Sequence, residues 1–371
     1  MTIMNRNRTL LSLAFAAFLS TGCSGGNSTV SEATSAKVAG HWQYQSGPLL
    51  NGAQLGTVTW LDADKSGAAT ILAKAPLHGT IGCASAVIAV LNDTVLSLQT
   101  PTVFGNVGNT TYFLYAVTAD TLTLTDADQN VTTFKKAASI PAADQCTALT
   151  SSAVITIPAA SQATTRTSLG SDGTRLWWTN AAEDSWVPFN PVTSSAGALA
   201  PAGNYRFVIA MQGSDFWDDC FCGGGNDLER FTSAGVLVDS FDTQVAPISH
   251  YIDIRAGTWD GSRLWIAGND DANQSAILKV NSDAEPDTLD SFITTDGDVT
   301  GVAFVGTKLY VTTYFLGPVL VELDPATGDA LTTWRFPANF PDVYGLAAIG
   351  TKLYALAQGN DNLFALVELD I

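Results

Sequence analysis

The densest run of reactive side chains lies in Asp215-Phe216-Trp217-Asp218-Asp219-Cys220-Phe221-Cys222-Gly223-Gly224-Gly225-Asn226-Asp227. The carboxylates of Asp215, Asp218, Asp219 and Asp227 suit a hard divalent cation, and the thiolates of Cys220 and Cys222 suit a soft one. The Cys-x-Cys pair is alternatively redox-active, or a disulfide that stiffens a long loop. The chain has no Cys-x2-Cys pair, which argues against a structural zinc site. A second set comes from Gly-Asn-Asp, which recurs at residues 225–227, 268–270 and 359–361. Asp227, Asp270 and Asp361 then stand on three loops that should share one rim of the molecule. They would hold a cation or sugar hydroxyls there, although Asn and Asp are also the favoured turn residues.

Other chemistry is sparse. The histidines are His41, His78 and His250, and His250 with Asp253 could act as a base pair. The chain lacks a Gly-x-Ser-x-Gly elbow, His-Glu-x-x-His and a phosphate-binding glycine loop, which argues against a serine hydrolase. Glycoside hydrolysis needs two carboxyl groups about 5 to 9.5 Å apart; the 35 acidic residues admit such a pair, but no motif selects one. Asp62–Gly67 and Asp126–Asn130 resemble fragments of calcium loops. The bidentate Glu of a full loop is missing, because Ala73 holds its place, so both segments read as hairpin turns. Nine tryptophans invite a sugar-binding reading. Trp177, Trp217 and Trp265 sit at a repeated position and read as core, leaving Trp178, Trp186, Trp259 and Trp334 freer to stack on a ligand. No cofactor is expected, and a divalent cation is the one inorganic ligand the acids admit.

The elements that must position these residues are strands. Over residues 151–371, Gly-(Ser/Thr)-x-(Leu/Phe)-(Trp/Tyr) occurs five times, beginning at Gly173, Gly213, Gly261, Gly306 and Gly350, with spacings of 40, 48, 45 and 44. A period in the forties with four strands per unit marks a β-propeller. Each sheet has two apolar faces and buries them only by stacking in a ring. Five copies imply five blades, or six if a diverged copy is also present. The last copy has three strands before the chain ends, so Ala153–Ile157 is expected to supply its outer strand and close the ring. The repeat resembles propellers of the NHL and quinoprotein-like type, which host many activities.

Residues 38–150 carry short alternating β-branched and aromatic runs bounded by Asp, Asn and Gly, the pattern of a small antiparallel barrel or sandwich. Val38-Ala39-Gly40-His41-Trp42-Gln43-Tyr44 and the ending at residues 120–137 resemble the small bacterial lipocalin-like domains. That resemblance implies a barrel with a ligand cavity, or one filled by its own side chains. Cys83, Cys146, Cys220 and Cys222 allow three pairings. Proximity favours Cys83–Cys146 and leaves Cys220 with Cys222, and the resemblance implies that the first bond ties the tail to the barrel wall.

Residues 1–22 read as an export signal: Arg6 and Arg8, then a short apolar core from Leu10 to Leu19. Leu19-Ser20-Thr21-Gly22-Cys23 resembles the lipobox of bacterial lipoproteins, with the Leu one place further from the cysteine than usual. The resemblance implies cleavage before Cys23, acylation of that cysteine and a flexible tether over residues 23–37. Ser24, rather than Asp, implies the outer membrane. Loss of Arg6 and Arg8 with the signal takes the net charge from −18 to −20, which repels nucleic acid and anionic lipid. The expected protein is all-β: a small antiparallel barrel, then a five-bladed propeller, held to the bacterial envelope by lipid. Its expected function is binding or scaffolding toward a glycan, an envelope protein or a metal. The alternative is a carboxylate-based glycan hydrolase at the propeller mouth.

Overall fold

The computed structural model describes residues 35–47, 57–75, 77–99, 110–165, 167–182, 184–201, 206–220, 227–242, 253–269, 275–282, 288–314, 317–337 and 339–371. Cys23, Cys222, His250 and Asp270 lie outside the described residues, as do the side chains of Asp219, Cys220, Asp227 and Asp253. The described residues up to Lys74 and from Cys83 to Gln145 form one compact unit; Ala75–Gly82 and Cys146–Ile371 form the other.

The first unit is a closed antiparallel barrel of β1 (Gly40–Ser46), β2 (Thr57–Ala63), β3 (Ala68–Lys74), β4 (Ile81–Val90), β5 (Val95–Gln99), β6 (Thr110–Val117), β7 (Thr121–Thr125) and β8 (Val131–Ala137). Period-2 alternation decides which side chains enter it: in β7, Leu122 and Leu124 are buried between half-exposed threonines. β8 pairs back onto β1, with Phe134 opposite Tyr44. Trp42 is fully buried, its indole N–H donates to the Val38 carbonyl at 2.8 Å, and the Lys136 ammonium lies 5.1 Å from its ring centroid. The two calcium-loop fragments are hairpin turns. Asp64 Oδ1 accepts the backbone N–H of Ser66 at 2.7 Å and of Ala68 at 3.1 Å, and Asp126 Oδ1 accepts those of Asp128 and Asn130 at 2.9 Å each.

The second unit begins with β9 (Thr147–Ala148) and β10 (Thr150–Thr156). Blade 1 follows as β11 (Gly170–Ser171), β12 (Leu176–Thr179), β13 (Ser185–Asn190), β14 (Ser195–Ala196) and β15 (Ala200–Pro201). Blade 2 is β16 (Arg206–Gln212), β17 (Asp215–Cys220), β18 (Asp227–Phe231) and β19 (Leu237–Asp242). Blade 3 is β20 (Asp253–Trp259), β21 (Leu264–Asn269), β22 (Ser275–Asn281) and β23 (Thr288–Thr294). Blade 4 is β24 (Asp298–Val305), β25 (Lys308–Tyr314), β26 (Pro318–Leu323) and β27 (Ala330–Arg335). Blade 5 is β28 (Asp342–Ile349), β29 (Lys352–Gln358) and β30 (Phe364–Asp370). The inner strands β11, β16, β20, β24 and β28 pack each against the next, and β28 packs against β11, so five blades close the ring. The fourth strand of blade 5 is β10, antiparallel to β30 with Ile155 opposite Leu366, which is the expected closure. Beyond that expectation, β9 adds a short parallel strand to the outer edge of β27.

Strand alternation explains the repeat. The turn glycines Gly173, Gly213, Gly261, Gly306 and Gly350 have φ between +61° and +98°, where side chains are costly. Three residues on, Leu176, Phe216, Leu264, Leu309 and Leu353 pack toward the preceding blade. One residue further, Trp177, Trp217, Trp265, Tyr310 and Tyr354 pack toward the following blade. Each neighbouring pair of blades therefore shares one apolar core.

The segment Ala75–Gly82 packs within the propeller unit, although it lies inside the span read as barrel. The cause is Asp296, buried with 6% of its surface exposed, whose carboxylate accepts the backbone N–H groups of Leu77 (3.0 Å), His78 (3.0 Å) and Thr80 (3.2 Å). A buried carboxylate needs such donors to offset its lost hydration. The Ala330 N–H donates to the His78 carbonyl at 3.1 Å. Cys83 and Cys146 form a disulfide, the pairing that proximity favours.

Candidate ligand site at the end of the propeller channel

Two residues before each turn glycine stand Ser171, Met211, Trp259, Phe304 and Ala348, one per blade. All five line a cavity of about 280 Å³ at the end of the channel where the inner strands turn into the second strands. The five-fold frame is regular, but its side chains are not. Blades 2, 3 and 4 contribute the large groups, while the adjacent blades 5 and 1 contribute Ala348 and Ser171. The cavity thus has one bulky wall facing one small wall. Trp259 is half-buried and packs partly on the core between blades 2 and 3. Phe304 is held edge-on by Trp265, with ring centroids 5.2 Å apart. Gly170, Gly257, Leu346 and Ala347 add to the lining, together with Leu169, Thr258, Asp172 and the turn glycines Gly173 and Gly213. Each inner strand is the terminal strand of its sheet, so one edge of its backbone has no ladder partner within the blade.

The charged residue of the lining, Asp172, is already engaged. Asp172 Oδ1 accepts the Thr174 N–H (2.9 Å), the Thr174 hydroxyl (2.7 Å) and the Arg175 N–H (2.7 Å). Its Oδ2 accepts Arg175 Nε and Trp177 Nε1 at 2.9 Å each. Burial pushes this carboxyl up, but the hydrogen bonds from Thr174, Trp177 and the backbone outweigh burial and hold it down to about 2. Asp260 does the same in blade 3, accepting Trp265 Nε1 at 2.7 Å, and in blade 2 Gln212 accepts Trp217 Nε1 at 3.1 Å. These groups fix turns and indoles.

The opposite end of the channel holds different chemistry. Asp298 and Asp342 begin their inner strands and reach back to the preceding blade. Asp298 accepts the Ser275 hydroxyl at 3.3 Å, and Asp342 accepts the Tyr314 hydroxyl at 3.2 Å. The Tyr314 oxygen in turn accepts the Val343 N–H at 2.7 Å. Burial raises the Asp342 carboxyl and the Tyr314 phenol, and raises Tyr344 to about 12. Asp253 begins β20 at the equivalent repeat position, so Asp-(Ile/Val)-x-(Gly/Ala) recurs at residues 253, 298 and 342.

Of the residues singled out from the sequence, Asp215 and Asp218 stand apart from the Gly-Asn-Asp loops, which come at or after the end of the second strand of blades 2, 3 and 5. Asp215 starts β17 at the cavity end of blade 2, whereas Asp227 starts β18 at the far end. Asp218 is fully buried at a position that Trp178, Ile266, Val311 and Ala355 hold in the other blades. It is a carboxylate in a core position, on the face of β17 that packs toward blade 1. Asp361 is exposed in the β29–β30 turn, where it accepts the Leu363 N–H at 3.1 Å. Among the described residues no three His, Cys, Asp or Glu side chains are gathered as a metal would require. Trp178 and Trp186 are not free to stack on a ligand. Both are fully buried: Trp178 Nε1 donates to the Ser161 carbonyl at 2.8 Å, and Trp186 stacks on Phe216 at 4.1 Å. Trp334 is half-buried beside Tyr310, 6.2 Å between centroids. Of the four, Trp259 alone lines the channel-end cavity. The other cavity residues were missed, although the same repeat register marks them.

No family model and no curated protein matches the sequence. Among solved structures, the fold is similar to glutaminyl cyclase from Myxococcus xanthus (10% identity, 61% of this chain and 98% of that one, TM-score 0.43). It is also similar to regucalcin, a calcium-binding protein from Agrobacterium tumefaciens (11% identity, 61% and 97%, TM-score 0.39). These likenesses concern the propeller fold alone.

Proposed function

We propose that this chain is an exported binding protein of the bacterial envelope, anchored by lipid on Cys23, whose propeller takes a small uncharged ligand at the end of its channel. The cavity of about 280 Å³ built from the five equivalent inner-strand positions carries this reading. It combines an aromatic wall on blades 3 and 4 with a largely polar remainder of hydroxyls and strand edges, which suits a ligand with many hydrogen-bonding groups. Its one carboxylate is consumed by the Asp172 turn, so neither an acid pair nor an uncompensated charge faces a ligand there. The resemblance of residues 1–23 to an export signal with a lipobox supports the envelope location, and the net charge of −18 opposes nucleic acid as a partner.

A carboxylate hydrolase is the second reading. Its support is Asp342, whose carboxyl burial raises, at the far end of the channel. Glycoside hydrolysis would need a second acid about 5 to 9.5 Å away. The described partner of Asp342 is the Tyr314 hydroxyl.

Thermal unfolding of the purified full chain with a panel of neutral small molecules tests the binding reading. A ligand at about 100 times its Kd adds roughly 2.7 kcal/mol and raises the transition. A panel spanning neutral sugars, polyols, amides and aromatic alcohols that moves nothing overturns it. Labelling of the cell-expressed chain by a palmitate analogue, lost in Cys23→Ser, tests the anchor; label retained in that variant overturns it.

A further inference from the structure

We infer that the ligand of the channel-end cavity is a single neutral sugar ring, stacked on Trp259 and capped by the small wall of Ser171 and Ala348. This inference rests on reading that cavity as a small-ligand site. It follows from the asymmetry of five positions that the fold makes equivalent. A ring of five large side chains would plug the channel, and a ring of five small ones would leave a symmetric pore. Here Trp259 and Phe304 form an aromatic wall on blades 3 and 4, while blades 5 and 1 present a methyl group and a hydroxyl. The space between two such walls is a slot with one aromatic side.

The two walls ask for different chemistry from one ligand. The aromatic wall rewards C–H groups laid on a π-face. On the small wall the Ser171 oxygen accepts the Gly173 N–H at 3.1 Å and keeps its O–H to donate, and Thr258 on blade 3 and the inner-strand edges supply further donors and acceptors. An apolar aromatic ligand would satisfy the first wall and leave the polar groups of the second desolvated and unpaired, which is unfavourable. A pyranose has an apolar C–H face and a rim of hydroxyls, so it meets both. A charged sugar is disfavoured because both oxygens of Asp172 and the Arg175 guanidinium already bond to each other and to the turn, leaving no counter-charge to replace lost hydration. At about 280 Å³ the cavity lies below the range of about 300–1,000 Å³ typical of drug-sized ligands. It therefore fits one ring, with any further residues of a glycan extending into solvent.

Isothermal titration of the full chain with neutral monosaccharides and their short oligomers provides the test, with indole and benzyl alcohol as aromatic probes of similar bulk. At least one neutral sugar binds, and Trp259→Ala weakens it by about tenfold or more, equivalent to 1.4 kcal/mol. Trp259 also packs on the core, so two further variants guard against a folding defect. Trp259→Phe keeps a ring and retains most of the affinity, while Ser171→Leu fills the slot from the opposite wall and abolishes binding. If the aromatic probes bind and no sugar does, the sugar inference falls and the small-ligand reading stands. If neither class binds, both fall. Sugar binding that survives Trp259→Ala and Ser171→Leu overturns the assignment to this cavity.

Discussion

The closure of the ring depends on how closely two backbones approach at Gly345, and Gly345→Ala measures it. A β-carbon built there would lie 2.4 Å from the Leu169 nitrogen, 2.8 Å from the Ser168 carbonyl carbon and 2.9 Å from the Leu169 β-carbon. Carbon atoms pack comfortably at about 3.5–4.0 Å, so β28 and the start of blade 1 must separate by about 1 Å. The obstacle is backbone, which cannot swing aside as a side chain would. Overpacking costs about 1–3 kcal/mol, and a backbone clash places this site near about 3. Gly345 lies outside the positive-φ glycines, so alanine also stiffens the unfolded chain and returns about 0.4–1 kcal/mol. The net loss is about 2 kcal/mol, which lowers Tm by about 4–8 °C for a domain of this size. Differential scanning calorimetry of the full chain reads it directly. Gly213→Ala is the control: its β-carbon meets nothing within 4 Å, but φ is +63°, so it loses about 1–2 kcal/mol through backbone strain alone. A Gly345→Ala protein as stable as wild type would refute the close approach of blades 5 and 1 that the ring requires.

Other consequences are separately measurable. Ile155→Pro removes a β10 donor opposite Leu366 and should lower Tm by more than Gly345→Ala, while Val192→Ala, which keeps the N–H that Asn190 Oδ1 accepts at 2.9 Å, should not. Asp296→Ala removes the acceptor of three backbone N–H groups; hydrogen exchange at Leu77, His78 and Thr80 should rise at least about tenfold, since each group loses a charge-assisted bond, and unchanged protection refutes that role. The Asp172 carboxyl is held down to about 2, against 3.8 for an ordinary aspartate. Its stabilisation is therefore complete above about pH 4 and is lost as pH falls toward 2. The shift amounts to about 2 kcal/mol at most, and partial solvent access reduces this to about 1. Asp172→Asn should thus destabilise the protein at pH 7 and flatten its acid unfolding between pH 4 and 2; an acid profile identical to wild type would exclude the assignment.

The architecture is legible in the sequence because it is written in local periods. Five glycine turns about forty residues apart, followed by Leu and Trp or Tyr, specify five sheets with two apolar faces each. The three-strand last copy asks for Ala153–Ile157, and β10 supplies the strand there. The eight barrel strands follow equally from alternation bounded by turn residues. The site was less legible. Asp218 looks like a ligand beside Asp219 and Cys220, yet strand alternation and ring packing turn it into the core between blades 1 and 2. Trp178 and Trp186 look free because they fall off the aromatic repeat position, yet their faces meet blade 5 and Phe216. The 75–82 segment joins the propeller through Asp296, more than two hundred residues away. Local alternation determines which face of a strand a residue occupies. Only the closed ring determines what that face meets, because each blade's partner, and the channel on which five distant positions converge, exist only once the chain ends have been brought together.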